Sequence, residues 1–293
     1  MPTPIDRRQV ISWSLYDWAN SAYATTVMAG FFPIFFKQYW SVDTDVTQST
    51  FHLGVANSLA SVLIAALVGF YSAIRFLIAG IANVIGLSEI RKWNATDWDM
   101  RYADHDPSEA LPWDVVRHVV IIPAYKESIA VLRCTLSNLA AQYEARKRMT
   151  IVLAMEAAED GCAEKAEQLQ REYSRQFEHF YYTVHPRGLP GEMQCKSANE
   201  AWAARWAKRK LVDELGYNID HILVTTMDAD TLWHPKHFHA LTCLFATHPQ
   251  RHLRFWQAPI RYHGNIWQIN PLLRLVNAYS GAFEQAQAIG IPT

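Results

Sequence analysis

Between His118 and Thr226, short apolar runs alternate with longer charged stretches, and this alternation constrains the fold more than any other feature. The runs are His118–Pro123 (HVVIIP), Thr150–Met155 (TIVLAM), Phe180–Val184 and His221–Thr226 (HILVTT). Each is short, apolar and bounded by polar residues, as buried strands are. Between the first two, Ile129, Leu132, Leu136, Leu139 and Ala140 recur at helical spacing within Glu127–Tyr143. A charged amphipathic helix follows Gly161 and runs to about Phe177. After a Pro/Gly turn at His185–Gly191, Gln194–Gly216 reads as a long helix. Strands alternating with helices predict an α/β fold with a parallel sheet and helices on both faces. Ligands in such sheets bind outside the carboxyl ends of the strands.

Four groups of polar residues fall at those ends. They are Ala124–Glu127, Glu156–Asp160, Lys196 with Asn199, and Asp228 with Asp230. The last pair, in Met227–Thr231 (MDADT), puts two carboxylates one residue apart at a strand end. Such a pair can share a hard cation, Mg²⁺ or Mn²⁺, which prefers oxygen ligands and keeps substrate phosphates in its shell. Each residue also has a plainer reading. Glu156 and Glu159 could be helix-start carboxylates, Lys196 a solvated helix residue, and Asp228 the cap of a turn. Their joint occurrence at four strand ends favours a site. His234, His237 and His239 lack the H-E-x-x-H spacing of a zinc helix and read as helix-start surface.

The 293 residues carry a net charge of −1, which gives no electrostatic footprint for nucleic acid. That average hides two regions, because the chain is overwhelmingly apolar up to about Leu87. Trp13–Phe36 is about one bilayer thick, and Val46–Ile74 contains no Asp, Glu, Lys or Arg. Expected spans are therefore 13–36 and 52–74. Arg75 interrupts the apolar sequence, and 76–87 is short for a third span, which would make three in all, and could instead lie at the interface or within a helical hairpin. Arg7 and Arg8 before the first span, and Arg75, Arg91 and Lys92 after the second, place both ends in the cytoplasm. Asp17 would cost roughly 2.5–3.5 kcal/mol at the bilayer centre, and a position one turn from the interface avoids that cost. The expected organisation is a multi-pass membrane region at 1–92, a linker at 93–113 and a soluble domain at 114–293 facing the cytoplasm. Cys134, Cys162, Cys195 and Cys243 form no C-x-x-C pair and fit reduced thiols in a cytosolic domain.

Two resemblances follow from these segments. Ser12–Trp40 (SWSLYDWANSAYATTVMAGFFPIFFKQYW) and Phe51–Leu67 (FHLGVANSLASVLIAAL) resemble the start of a major-facilitator transporter of the vacuolar-effluxer type. Val119–Ser128 (VVIIPAYKES), Val152–Gly161 (VLAMEAAEDG), Gly191–Ala203 (GEMQCKSANEAWA) and Thr225–Pro235 (TTMDADTLWHP) resemble family-2 glycosyltransferases with the glycosyltransferase-A fold. Phe255–Trp267 fits the segment after the Asp pair in membrane-bound, glucan- and cellulose-synthase-like members. This second resemblance runs from about residue 69 to the end. It implies a nucleotide-diphosphate sugar donor, UDP-linked, and inverting transfer of a hexose to a glycan acceptor. It also implies that Ala124, Tyr125 and Glu127 line the base and ribose pocket. Glu156 stands where the family more often has Asp against the nucleobase, and Glu159 or Asp160 could serve instead. Lys196 would approach the phosphates and Asn199 organise the helix start. Asp228 would meet the ribose or a metal water, and Asp230 would ligate the metal. The family's general base (Glu-Asp) and Gln-x-x-Arg-Trp motifs do not occur after Trp267, where Glu284 is the only acid. The expectation is a chimeric or truncated chain with a donor half but no base. The alternatives are a transporter fragment and a non-catalytic nucleotide-sugar-binding subunit.

Overall fold

The computed structural model describes residues 57–260 and a few positions from 270 to 274. The first expected span, Asp17, Glu284 and most of the transporter-like sequence lie outside the described residues. The chain divides into two units, and Leu87–Ile260 holds all the described strands.

Helix α1 (Asn57–Ala95) is continuous over 39 residues. Within it Gly69–Ala95 is long and apolar enough to cross a membrane. Arg75, read from the sequence as a boundary between two apolar segments, lies inside this single helix. The charge does not break it, because arginine is a good helix former and the i→i−4 ladder is indifferent to side-chain charge. Residues 93–113, expected as linker, contain α2 (Trp98–Ala103), whose first turn is capped by Asp97 accepting from Asp99 and Met100 N–H. Leu111 N–H donates to Ala246 O at 2.9 Å, so this stretch packs onto the sheet-bearing unit.

That unit is built on β1 (Arg117–Ala124), β2 (Met149–Glu156), β3 (His179–His185) and β4 (Ile222–Thr226), between which come α3 (Ile129–Ala140), α4 (Cys162–Tyr173) and α5 (Lys196–Lys208), with α6 (His237–Thr247) after β4. The order in the sheet is β3-β2-β1-β4, and every pairing is parallel. In β1, Val120 and Ile122 face one layer, with Leu132, Leu136 and Leu139 of α3, Leu169 of α4 and Phe238 of α6. Val119 and Ile121 face the other, with Ala203 and Ala207 of α5 and Leu211 just beyond it. The period-2 alternation of an apolar strand thus feeds two cores, one on each side of the sheet. In α4 the buried residues Cys162, Ala166, Leu169 and Tyr173 trace one stripe, which turns its charged remainder to solvent.

One strand differs from its sequence reading. β4 looks uniformly buried by composition, yet Val224 is 54% exposed. Among the described residues β4 pairs only with β1.

Candidate nucleotide-sugar site

The strand order decides where a ligand can sit. The chain lays down β1, β2 and β3 in one direction and then returns to place β4 on the free flank of β1. The loops leaving β1 and β4 therefore diverge, and a crevice opens between them at the carboxyl ends. A pocket of about 790 Å³ lies there. All eight residues singled out from the sequence line it: Ala124, Tyr125, Glu127, Glu156, Lys196, Asn199, Asp228 and Asp230. Glu159 and Asp160 do not.

The β1 loop is held from several sides. Lys126 adopts φ 66°, a left-handed conformation that is uncommon for a residue bearing Cβ. Its N–H donates to Glu159 Oε2 at 2.8 Å, and the N–H of Tyr125 donates to the Glu127 carboxylate. Lys165 pairs with Glu159 and donates to Glu127 O at 2.9 Å. Glu159 is thus committed to loop geometry. Asp160 is fully exposed, 3.7 Å from Arg187. Neither competes with Glu156 for the pocket.

Glu156 ends β2 and is 5% exposed. Its Oε2 accepts from His185 Nδ1 at 3.2 Å and from Gln194 Nε2 at 3.3 Å. Asn199 is buried in the first turn of α5, where its Nδ2 donates to Ala154 O at 2.8 Å. The side chain therefore ties α5 to β2, a role beyond organising the helix start. Its Oδ1 is buried with no partner among the described residues. Cys195, at the N-cap of α5, contacts Ser197 Oγ at 3.1 Å. That contact, then the Ala198 N–H, holds its thiol below the ordinary value.

Lys196 is ion-paired with Asp228 and lies 3.9 Å from Glu200. Burial lowers its pKa, but the Asp228 hydrogen bond and the charges of Asp228, Glu200 and Asp230 outweigh burial and hold it above the usual lysine value. Asp228 and Asp230 are both exposed, with Ala229 buried between them. That alternation continues β4, whose pairing extends through Met227 N–H to Ile121 O at 3.3 Å.

The acid loop is pinned by α3, which sequence reasoning missed. Thr135 Oγ1 donates to Ala229 O at 2.6 Å. Asn138 Oδ1 accepts from Trp233 N–H at 2.7 Å, and its Nδ2 donates to Trp233 O at 3.0 Å. The available signal was the polar residues Thr135, Asn138 and Gln142, spaced as one helical stripe beside an apolar one.

The histidine cluster after β4 is not helix-start surface throughout. His237 stacks on Trp233 at 4.0 Å, and burial followed by the charge of His234 pushes its pKa down to about 4. His239 stacks on Tyr143 and lies 3.0 Å from Asp99. His234 Nδ1 accepts from Lys236 N–H at 3.2 Å. The three imidazoles are engaged in three different directions. Among the described residues no three His, Cys, Asp or Glu side chains converge as a metal cage.

The family model described as "Glycosyltransferase like family 2" matches residues 117–268, more than half of the chain. A 61-residue stretch is 39% identical to the uncharacterized MFS-type transporter YxiO of Bacillus subtilis (strain 168), covering 20% of this chain and 14% of that protein. Among solved structures, the mannosyltransferase PcManGT from Pyrobaculum calidifontis, in complex with GDP-Man and Mn²⁺, is 20% identical with a TM-score of 0.30. That similarity covers 57% of this chain and 43% of the mannosyltransferase chain. This chain thus spans less than half the length of either relative. The extent of the family match, on a parallel α/β sheet, places the chain among the family-2-like glycosyltransferases.

Proposed function

We propose that this chain binds a UDP-linked hexose in the crevice between β1 and β4 and carries the donor half of an inverting transfer to a glycan acceptor, with no residue assigned as the base that takes the acceptor proton. The observation that carries this reading is the meeting of Lys196 with Asp228, beside Asp230, at the switch point of the sheet. A diphosphate needs cationic partners, and this corner offers an ammonium and two exposed carboxylates. The donor set fits Mg²⁺ or Mn²⁺, which are held by one or two carboxylates and otherwise by phosphate oxygens and water. Asp228 and Asp230 would hold that cation, which when bound neutralises charge developing on the departing nucleoside diphosphate. Lys196 would share its charge between Asp228 and the phosphates. Glu156, Ala124, Tyr125 and Glu127 would face the nucleoside, and Asn199 would keep α5 against β2. The helix Gly69–Ala95 supplies the membrane anchor, and Arg91 and Lys92 near its end favour a cytoplasmic sheet-bearing unit.

Calorimetric titration of UDP with and without Mn²⁺ tests the site. Binding should require the metal and weaken at least tenfold, about 1.4 kcal/mol, in Asp230→Ala. Binding indifferent to both metal and substitution would remove the reading. Release of UDP from UDP-hexose, followed in the same preparation, separates a working transferase from a subunit that only binds.

A further inference from the structure

The last turns of α1, from Leu87, belong to the same unit as the sheet. A helix ends on carbonyls that have no intrahelical partner and that carry the negative end of its dipole. Lys92, the basic residue of that last turn, pairs back with Glu89 at 2.5 Å. The cation at the helix end comes instead from far along the chain. Lys236 Nζ donates to Asn94 O at 2.9 Å and to Thr96 O at 3.2 Å. An ammonium has three protons and can serve two carbonyls at once. Thr96 closes the turn, with its Oγ1 and N–H both donating to Lys92 O, at 2.8 and 2.9 Å.

Lys236 is also the N-cap residue of α6, so it ends the segment that starts at the acid pair. Thr231 N–H donates to Asp228 O at 3.1 Å, and Trp233 N–H donates to Asn138 Oδ1 at 2.7 Å. Trp233 Nε1 donates to Met227 Sδ at 3.2 Å, which returns the segment to the residue before Asp228. Lys236 N–H donates to His234 Nδ1 at 3.2 Å, and Lys236 O accepts from Ala240 N–H at 2.9 Å inside α6. Hydrogen bonds thus brace the segment from Asp228 to the side chain that meets α1. His239 of α6 makes a separate contact, 3.0 Å from Asp99 of α2.

We infer that Lys236 is a positioning residue: its ammonium anchors the end of the acid-pair segment on the carboxyl terminus of α1, and so holds Asp228 and Asp230 in place. A ligand that orders the acid pair must then order the end of α1 as well, because coupling between two sites is reciprocal. The consequence for donor binding rests on the function proposed above, whereas the anchor itself does not.

The test uses the full chain in detergent and follows amide hydrogen exchange at two places, residues 96–101 beside the end of α1 and residues 229–234 beside the acid pair. Lys236 is exposed, so its variants should fold, and urea midpoints close to the wild type check this. Without ligand, Lys236→Met should lose protection about tenfold at both places, the worth of one hydrogen bond to a charged group at an exposed site. Lys236→Arg keeps the charge and the donors and should retain protection. His239→Gln alters the other contact between α6 and α2 and should lower protection at 96–101 only. If α6 merely packed there, Lys236→Met and His239→Gln would behave alike. With UDP and Mn²⁺ bound, wild-type protection at 96–101 should rise about fivefold or more, and that rise should vanish in Lys236→Met. The inference is overturned by a Lys236→Met that loosens 96–101 alone, by a Lys236→Arg that behaves like Lys236→Met, or by wild-type protection at 96–101 that bound UDP leaves unmoved. If UDP does not bind at all, the donor-site reading falls and the ligand-free comparison judges the anchor.

Discussion

His118 lies beneath α6, with its Nε2 2.8 Å from Thr242 Oγ1 and its ring edge-on to Phe238. Thr242 gives its own hydroxyl proton to Phe238 O, so the imidazole is the donor and is held neutral with its proton on Nε2. Burial, then the charges of His237 and Arg148, pushes its pKa from 6.5 to about 3. His237 is displaced in the same direction, to about 4. Between 6.5 and these depressed values the unfolded chain binds protons that the folded chain refuses, so stability rises with pH there and is lost on acidification. Urea midpoints should therefore decline steadily below pH 6.5. His118→Gln, which keeps a donor for Thr242 but cannot titrate, should flatten that decline. An unchanged slope in this variant would assign the acid sensitivity elsewhere. His118 in HVVIIP gives no warning of this in sequence, since the partner of its Nε2, Thr242, lies far along the chain.

At the scale of elements, α3 both packs and aims. Leu132, Leu136 and Leu139 bury its apolar stripe, while Thr135 and Asn138 hold the loop that carries the acid pair. Thr135→Val keeps the shape but leaves the Ala229 carbonyl without its donor, at a cost of about 1–3 kcal/mol. Because that carbonyl lies between Asp228 and Asp230, metal-dependent UDP affinity should fall as well, in proportion to the loop's loss of order. Denaturant unfolding and calorimetry on this variant and on Asn138→Leu measure the two effects separately. A loss of stability with untouched affinity would make α3 a packing element only. The helix was legible as a period of 3.6, and the strands as short apolar runs. The exposure of Val224 was not, because composition does not report how far the neighbouring elements cover a given strand.

For the whole molecule, the proposed anchor rests on a 39-residue helix whose stretch Gly69–Ala95 is long and apolar enough to cross a membrane. The protein should stay with membranes through an alkaline carbonate wash and be released by detergent; release by carbonate alone would remove the anchor. The sequence by itself determined the class of fold, since alternating strand and helix periods leave few arrangements other than a parallel sheet covered on both faces. It also determined which residues could carry chemistry, because polar groups at the ends of parallel strands are the ones a ligand can reach. Tertiary structure alone decided that all eight converge, through the crossover that returns β4 to the flank of β1. It also decided which acids remain available. Glu159 is spent on the β1 loop and Glu156 is held by His185 and Gln194, while Asp228 and Asp230 face solvent. Those assignments depend on contacts between residues tens of positions apart. Local propensity and spacing carry no information about such contacts, because each is fixed only when the sheet order is.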